Sequence, residues 1–204
     1  MPDITILLVF IPTFFFVSIT PGMCMSLAMT LGMTIGIRKT AWMMLGEVLG
    51  VALVALLSVI GVAAIFIQYP RAFTVFKLIG GAYIIYLGIV LWRTPVRLTL
   101  QTRSTTTQKL PLFIQGFSTA VANPKGWAFM IALLPPFIQA DKSFSIQVSV
   151  LISIIMLSEL TCMYLYAIGG KSLNHFLNKN DKRQWINRIG GGLLTLVGVW
   201  LAAS

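Results

Sequence analysis

Acidic side chains are scarce in this chain: five Asp and Glu among 204 residues, against 15 Lys and Arg, with charged residues at only 10%. Soluble domains carry about 25% charged residues, so a chain this poor in charge has too little polar surface to cover a water-facing exterior. Histidine occurs once, as His175, and cysteine twice, as Cys24 and Cys162. Two isolated thiols make no disulfide framework, and one histidine without a CxxC leaves no metal-ligand spacing. Neither a resident metal nor another cofactor is expected. The net charge of +10 comes without a basic stripe interleaved with aromatics or a zinc-finger spacing, which argues against a nucleic-acid partner. The opening Met1-Pro2-Asp3 lacks the basic region of a secretion signal, and the first basic residue is Arg38. The first apolar segment therefore reads as a retained helix.

What the chain has in abundance is apolar sequence, 57% of it. Six runs stand out, roughly Ile4–Ile35, Ala41–Ile67, Phe73–Trp92, Leu110–Ile138, Phe144–Gly169 and Ile189–Ala203. A helix needs about 20 residues to cross about 30 Å of hydrocarbon. The runs predict an all-α integral membrane protein with six transmembrane helices, the last short unless it begins near Trp185. The first run is too long for a straight crossing, and Pro12 and Pro21-Gly22 are the places to expect its break. The longest gap holds a polar stretch at 101–108 and reads as a flexible linker. It divides the chain into residues 1–93, a linker over 94–109, and residues 110–204.

Basic residues are distributed unequally among the gaps. Arg38 and Lys39 follow the first run, Arg93, Arg97, Arg103 and Lys109 the third, and Lys171, Lys179, Lys182, Arg183 and Arg188 the fifth. The opposite side has Arg71, Lys142 and, near the interface, Lys77. The positive-inside rule places the richer side in the cytoplasm and both termini outside.

The two halves resemble each other. Ile79-Gly80-Gly81 and Gly88 in the third run keep the spacing of Ile189-Gly190-Gly191 and Gly198 in the sixth. Thr20-Pro21-Gly22 in the first run has its counterpart in Asn123-Pro124-Lys125 in the fourth. Three helices per half send the second half into the membrane from the opposite side, so the prediction is two inverted three-helix repeats with helices one and four broken. Glycines shared only for close helix packing are the plainer alternative.

Proline within a helix removes a donor and clashes with the preceding turn, and irregular backbone at membrane depth is tolerated only where it is protein-buried or lines a cavity. Paired breaks therefore point to a binding site made of Pro21, Gly22, Asn123, Pro124 and Lys125. Glu47 and Glu159 also lie inside apolar runs, about 10 and 15 Å from the cytoplasmic side at 1.5 Å per residue. Intramembrane acids normally face the interior, where they pair or titrate. Both are candidates for substrate binding and proton coupling. Lys125, at the start of a new helical segment, either helps helix amides hold an anion or neutralises one of the acids. Cys24 suggests a rival, a membrane thiol carrier, but its counterpart by repeat is Trp127 and a paired-cysteine pattern is absent. Met23, Met25, Met29, Met33, Met43 and Met44 read as packing, with a soft-metal route as a weaker alternative.

Together these motifs resemble the LysE/RhtB family of amino-acid exporters. The resemblance covers nearly the whole chain. It rests on Thr20-Pro21-Gly22, on Gly46-Glu47, on the block from Gly80 to Gly88 (Gly-Gly-Ala-Tyr-Ile-Ile-Tyr-Leu-Gly), on Asn123-Pro124-Lys125 and on the glycines of the last run. The chain departs from the family where Met23 and Cys24 replace the Pro and Asn that often follow Pro-Gly, and where Glu47 replaces the usual Asp. The resemblance implies a transporter rather than an enzyme, located in the bacterial inner membrane, which exports amino acids or close derivatives from the cytoplasm in exchange for protons. Its partners would be a small-molecule substrate, protons and the lipid bilayer, with self-association left open. Export of a different small solute or a metal ion is the remaining alternative.

Overall fold

The computed structural model describes residues 2–68, 72–93, 107–139, 141–178, 188–189 and 191–199. The expected linker therefore lies largely outside the described residues, as do Arg71, Arg97, Arg103, Lys179, Lys182, Arg183, Trp185, Gly190 and the end of the last run. The side chains of Lys77, Lys171 and His175 also lie outside them. The elements are α1 (Ile4–Ile19), α2 (Met23–Ile35), α3 (Ile37–Gln68), α4 (Ala72–Arg93), α5 (Lys109–Val121), α6 (Pro124–Leu133), a 3-10 turn (Pro135–Phe137) and α7 (Phe144–Asn178). A further helix, α8, covers 191–199. No strand occurs among the described residues.

Among the described residues, two helices are long and apolar enough to cross a membrane unaided, over Ile37–Gly61 of α3 and Phe144–Gly170 of α7. A third crossing arises if α1 and α2 are one span bent by 59° between them. The bend falls at Pro21-Gly22; Pro12 sits inside α1 without ending it. The α5–α6 pair is likewise interrupted, immediately before Pro124.

Each long helix presents an apolar outside as well as an apolar inside. On α3, Leu45, Leu49, Leu53, Leu56 and Ile60 are exposed, while Met43, Met44, Val48, Val54, Ala55 and Val59 are buried. A surface helix in water carries polar residues on its outer face. An outer stripe of leucine instead matches hydrocarbon.

Two packing contacts place the rest. At Gly46 on α3, a Cβ would collide with the Phe113 carbonyl on α5, and at Gly116 on α5 one would collide with the Met43 carbonyl on α3. The backbones touch, as small residues allow in membrane helices, and this contact fixes the position of the neighbouring Glu47. The second contact joins α4 to α8. A Cβ on Gly88 would lie 2.7 Å from the Gly191 carbonyl oxygen, and one on Gly198 would lie 2.8 Å from that of Gly81. The helices run antiparallel, because the order along one reverses along the other.

The interior forms two apolar clusters. One gathers Phe10, Phe14, Val51, Val54, Phe129, Leu133 and Phe137. The other is rich in sulfur, with Met25, Met29, Met43, Met44, Cys162 and Met163, and Met33 packs against it. The methionines expected to pack do so, apart from the exposed Met23. The start of α1 is tied to the α6–α7 connection: Asp3 pairs with Lys142 and accepts a hydrogen bond from Gln139. The Gln147 side chain holds Gln139 in turn, accepting from its backbone N–H and donating to its carbonyl, both at 2.9 Å.

Candidate functional site

Where the two apolar clusters meet, a cavity of about 60 Å³ opens between the two helix breaks. That is room for a few water-sized molecules. Gly22, Glu47, Asn123, Lys125 and Glu159 all line it. Five of the seven residues singled out from the sequence thus converge on one space. Pro21 and Pro124 do not line the cavity; they set the breaks that do.

The two breaks are built differently. At the second, Asn123 caps α6 by accepting from the Lys125 backbone N–H at 3.1 Å, and Pro124 occupies the first turn, where a missing donor costs nothing. The Trp127 indole N–H donates to the Val121 carbonyl at 2.8 Å. At the first, Gly22 stands at the start of α2 without a side-chain cap, and the residues that follow it, Met23, Cys24 and Met25, border the cavity. The carbonyl of Ile19, at the end of α1, receives the Tyr166 hydroxyl of α7 at 2.9 Å.

The acids differ as well. Glu47 is only 1% exposed, and both its carboxylate oxygens are buried without a protein hydrogen-bond partner. Leaving such a group unpaired in a dry interior is costly, so its chemistry is unfinished in the protein alone. Glu159 accepts a hydrogen bond from the Ser18 hydroxyl at 2.9 Å. The Lys125 ammonium lies 5.6 Å from the centre of the Phe129 ring. Among the described residues, the ion pair is Asp3 with Lys142; a direct Lys125–glutamate salt bridge is not formed. The site offers anionic and cationic groups that are close but not spent on each other.

Sequence reading missed Ser18 and the walls Phe14, Val17, Val51, Val54, Phe129 and Met130, and it saw Thr20 only as part of the break motif. A small hydroxyl two residues before Thr20-Pro21 was the available signal for Ser18. Cys24 was considered only as a redox thiol. Here it is a free buried thiol that receives the Asn123 side-chain amide at 3.7 Å, while Cys162 belongs to the sulfur-rich cluster. Among the described residues, no three His, Cys, Asp or Glu side chains group to hold a metal.

The chain is similar to known membrane proteins. A family model described as LysE type translocator matches residues 15–204. An uncharacterized membrane protein of Vibrio cholerae is 28% identical over 99% of this chain and 98% of its own length. A homoserine/homoserine lactone efflux protein of Salmonella typhi is 28% identical, covering 92% of this chain and 91% of the relative. A leucine efflux protein of an Enterobacter species is 24% identical, with 93% and 89% covered. No solved structure matches the chain.

Proposed function

We propose, from the premise that this chain belongs to the LysE type translocator family, that it exports an amino acid or close derivative from the cytoplasm in exchange for protons. Relatives named for efflux of homoserine, homoserine lactone and leucine support the substrate class. The observation that carries the proposal is the cavity between the two breaks, where a buried and partnerless Glu47 faces the same space as Lys125. An α-amino acid exchanged for a proton supplies what these groups lack. Its carboxylate suits Lys125 and the uncapped start of α2, since helix N-termini favour anions. Its ammonium suits the carboxylates. The apolar walls then favour a neutral side chain.

Six spans in two inverted repeats, 1–93 and 110–204, joined by the linker over 94–109, give the machinery. The α4–α8 contact supports that arrangement. Gly81 and Gly88 correspond by spacing to Gly191 and Gly198, and the contacts are exchanged: Gly88 meets Gly191, and Gly81 meets Gly198. Such reciprocity is what a two-fold axis produces, and between antiparallel helices that axis lies in the membrane plane. Alternating access follows from rocking one repeat against the other about the fixed site. Both termini lie outside, and the membrane is the bacterial inner membrane.

In this cycle Glu47 is the proton carrier, because taking up a proton displaces no strong donor from it. Everted membrane vesicles acidified inside and offered labelled leucine and homoserine test the proposal. Gradient-dependent accumulation is expected, and Glu47→Gln should reduce it to background while preserving gradient-independent exchange of substrate for substrate. Normal accumulation by Glu47→Gln, with the wild-type pH dependence, would move coupling to Glu159. No accumulation of any amino acid by the wild type would remove the substrate class.

A further inference from the structure

The two cavity glutamates have opposite surroundings, and Ser18 makes the difference. Hydroxyls near it in the chain return to their own helices: Thr13 donates to the Val9 carbonyl at 2.6 Å, Thr20 to Phe16 at 2.8 Å, and Thr30 to Ser26 at 2.8 Å. That is the usual habit of a hydroxyl inside a helix. Ser18 departs from it. Its side chain is 3% exposed, and it sends its hydroxyl across from α1 to the Glu159 Oε1 of α7 at 2.9 Å. A hydroxyl has one proton to donate, so this donor is committed to Glu159 and fixes the direction in which that carboxylate points. Glu159 lines the cavity beside Gly22 and Lys125, and a carboxylate offers about four acceptor positions, of which Ser18 takes one. Glu47 has no such hydroxyl; the group turned toward it is the Cys24 thiol, a weak donor.

We propose that Ser18 is a positioning residue that aims Glu159 at the ammonium group of the transported amino acid, so that Glu159 anchors substrate while Glu47 carries the proton. This division of labour rests on the exporter reading above. An ammonium group brings three donors and no acceptor, and it needs a carboxylate held still and not already consumed by a cation. Glu159 meets both conditions: Ser18 holds it, and Lys125 acts on it only across the cavity, without a direct salt bridge. A carrier of protons has the opposite requirement, because a standing donor would have to be displaced in every cycle.

Equilibrium binding by the purified full-length protein in detergent, with no gradient, tests the assignment. The probes are labelled leucine and homoserine. The competitors are 3-methylbutylamine, which is leucine without its carboxylate, and 4-methylpentanoate, which is leucine without its amine. Ser18→Ala is expected to weaken both amino acids and the amine by about ten-fold, the size of one hydrogen bond to a charged group, and to leave 4-methylpentanoate unchanged. Ser18→Thr, which keeps the hydroxyl, should restore binding. In vesicles, Ser18→Ala should raise KM and keep the wild-type pH profile. Equal loss for amine and acid would reduce Ser18 to packing, and a displaced pH profile would make Glu159 a coupling group; either overturns the proposal. Should Ser18→Ala not fold, Ser18→Cys carries a weaker donor of similar size, and undiminished amine affinity there counts against it. Wild-type protein that binds neither amino acid would defeat the exporter reading itself, which is seen before any variant is made.

Discussion

Two breaks interrupt the helices of this protein, and they are finished by different means. The one at Asn123-Pro124 is completed from nearby sequence: Asn123 caps α6, and Trp127 reaches back to the Val121 carbonyl. The one at Pro21-Gly22 borrows from α7, which supplies Tyr166 to the Ile19 carbonyl and Glu159 as acceptor for Ser18. Helix ends leave about four carbonyls without partners, and whoever satisfies them controls when they are released. The second break takes none of these hydrogen bonds from α7. The first can keep its geometry only while α7 stays in place, so a shift of α7 against α1 is felt at the cavity through this break.

The largest effect that separates the two breaks should come from matched deletions of their carbonyl partners. Tyr166→Phe removes the donor to Ile19 and should cost about 2 kcal/mol of stability, within the range for a buried group left unsatisfied. Trp127→Phe removes the donor to Val121 at similar cost. Thermal unfolding in detergent would record both, but transport should divide them, with the Tyr166 variant slowed well beyond the Trp127 variant at equal residual stability. Equal slowing would mean that the breaks are equivalent. A smaller effect is expected at the cap. Asn123→Ala should cost about 1 kcal/mol, and Asn123→Ser, which retains a capping oxygen, much less. If Asn123→Ser unfolds as readily as Asn123→Ala, the amide contact with Cys24 matters more than the cap.

Much of this is legible in the sequence. The paired prolines and the two intramembrane acids mark the cavity because each violates what a membrane helix ordinarily tolerates. The break at Pro21 rather than Pro12 was undecided, since a proline alone kinks a helix or is absorbed by it; Pro21 is followed by Gly22, which adds conformational freedom at the same point. Partners of the breaks were hidden. Tyr166 and Ser18 are ordinary residues in their own helices, and their roles arise only when α7 is packed against α1. The walls Phe14, Val51 and Phe129 were equally silent, because an apolar residue facing a cavity and one facing lipid look alike in a chain that is apolar on every side. Nor did separation in sequence reveal that Lys125 would share the cavity with both acids without a direct salt bridge to either.

The dependence of α1 on α7 and the α6–α7 connection extends to its other end, and the smallest predicted effect lies there. Asp3 pairs with Lys142 and accepts from Gln139, and the Lys142 ammonium, with Gln139, holds its carboxyl below the usual carboxylate range. A carboxyl lowered in this way contributes stability at pH values above its unfolded pKa, about 3.9, and loses that contribution as pH falls through the lower folded value. Asp3→Asn should therefore reduce the Tm slightly and by a constant amount from about pH 8 to pH 5, with the difference from wild type closing only in more acid solution. The reduction should be small because the pair is exposed to solvent and screened by salt. Lys142→Gln should remove the same increment, and the double variant should lose no more than either alone. A deficit that instead closes between pH 5 and 8 would assign the pH dependence to another group. A double variant with additive losses would show that Asp3 and Lys142 act separately, leaving α1 held by α7 at its broken end alone.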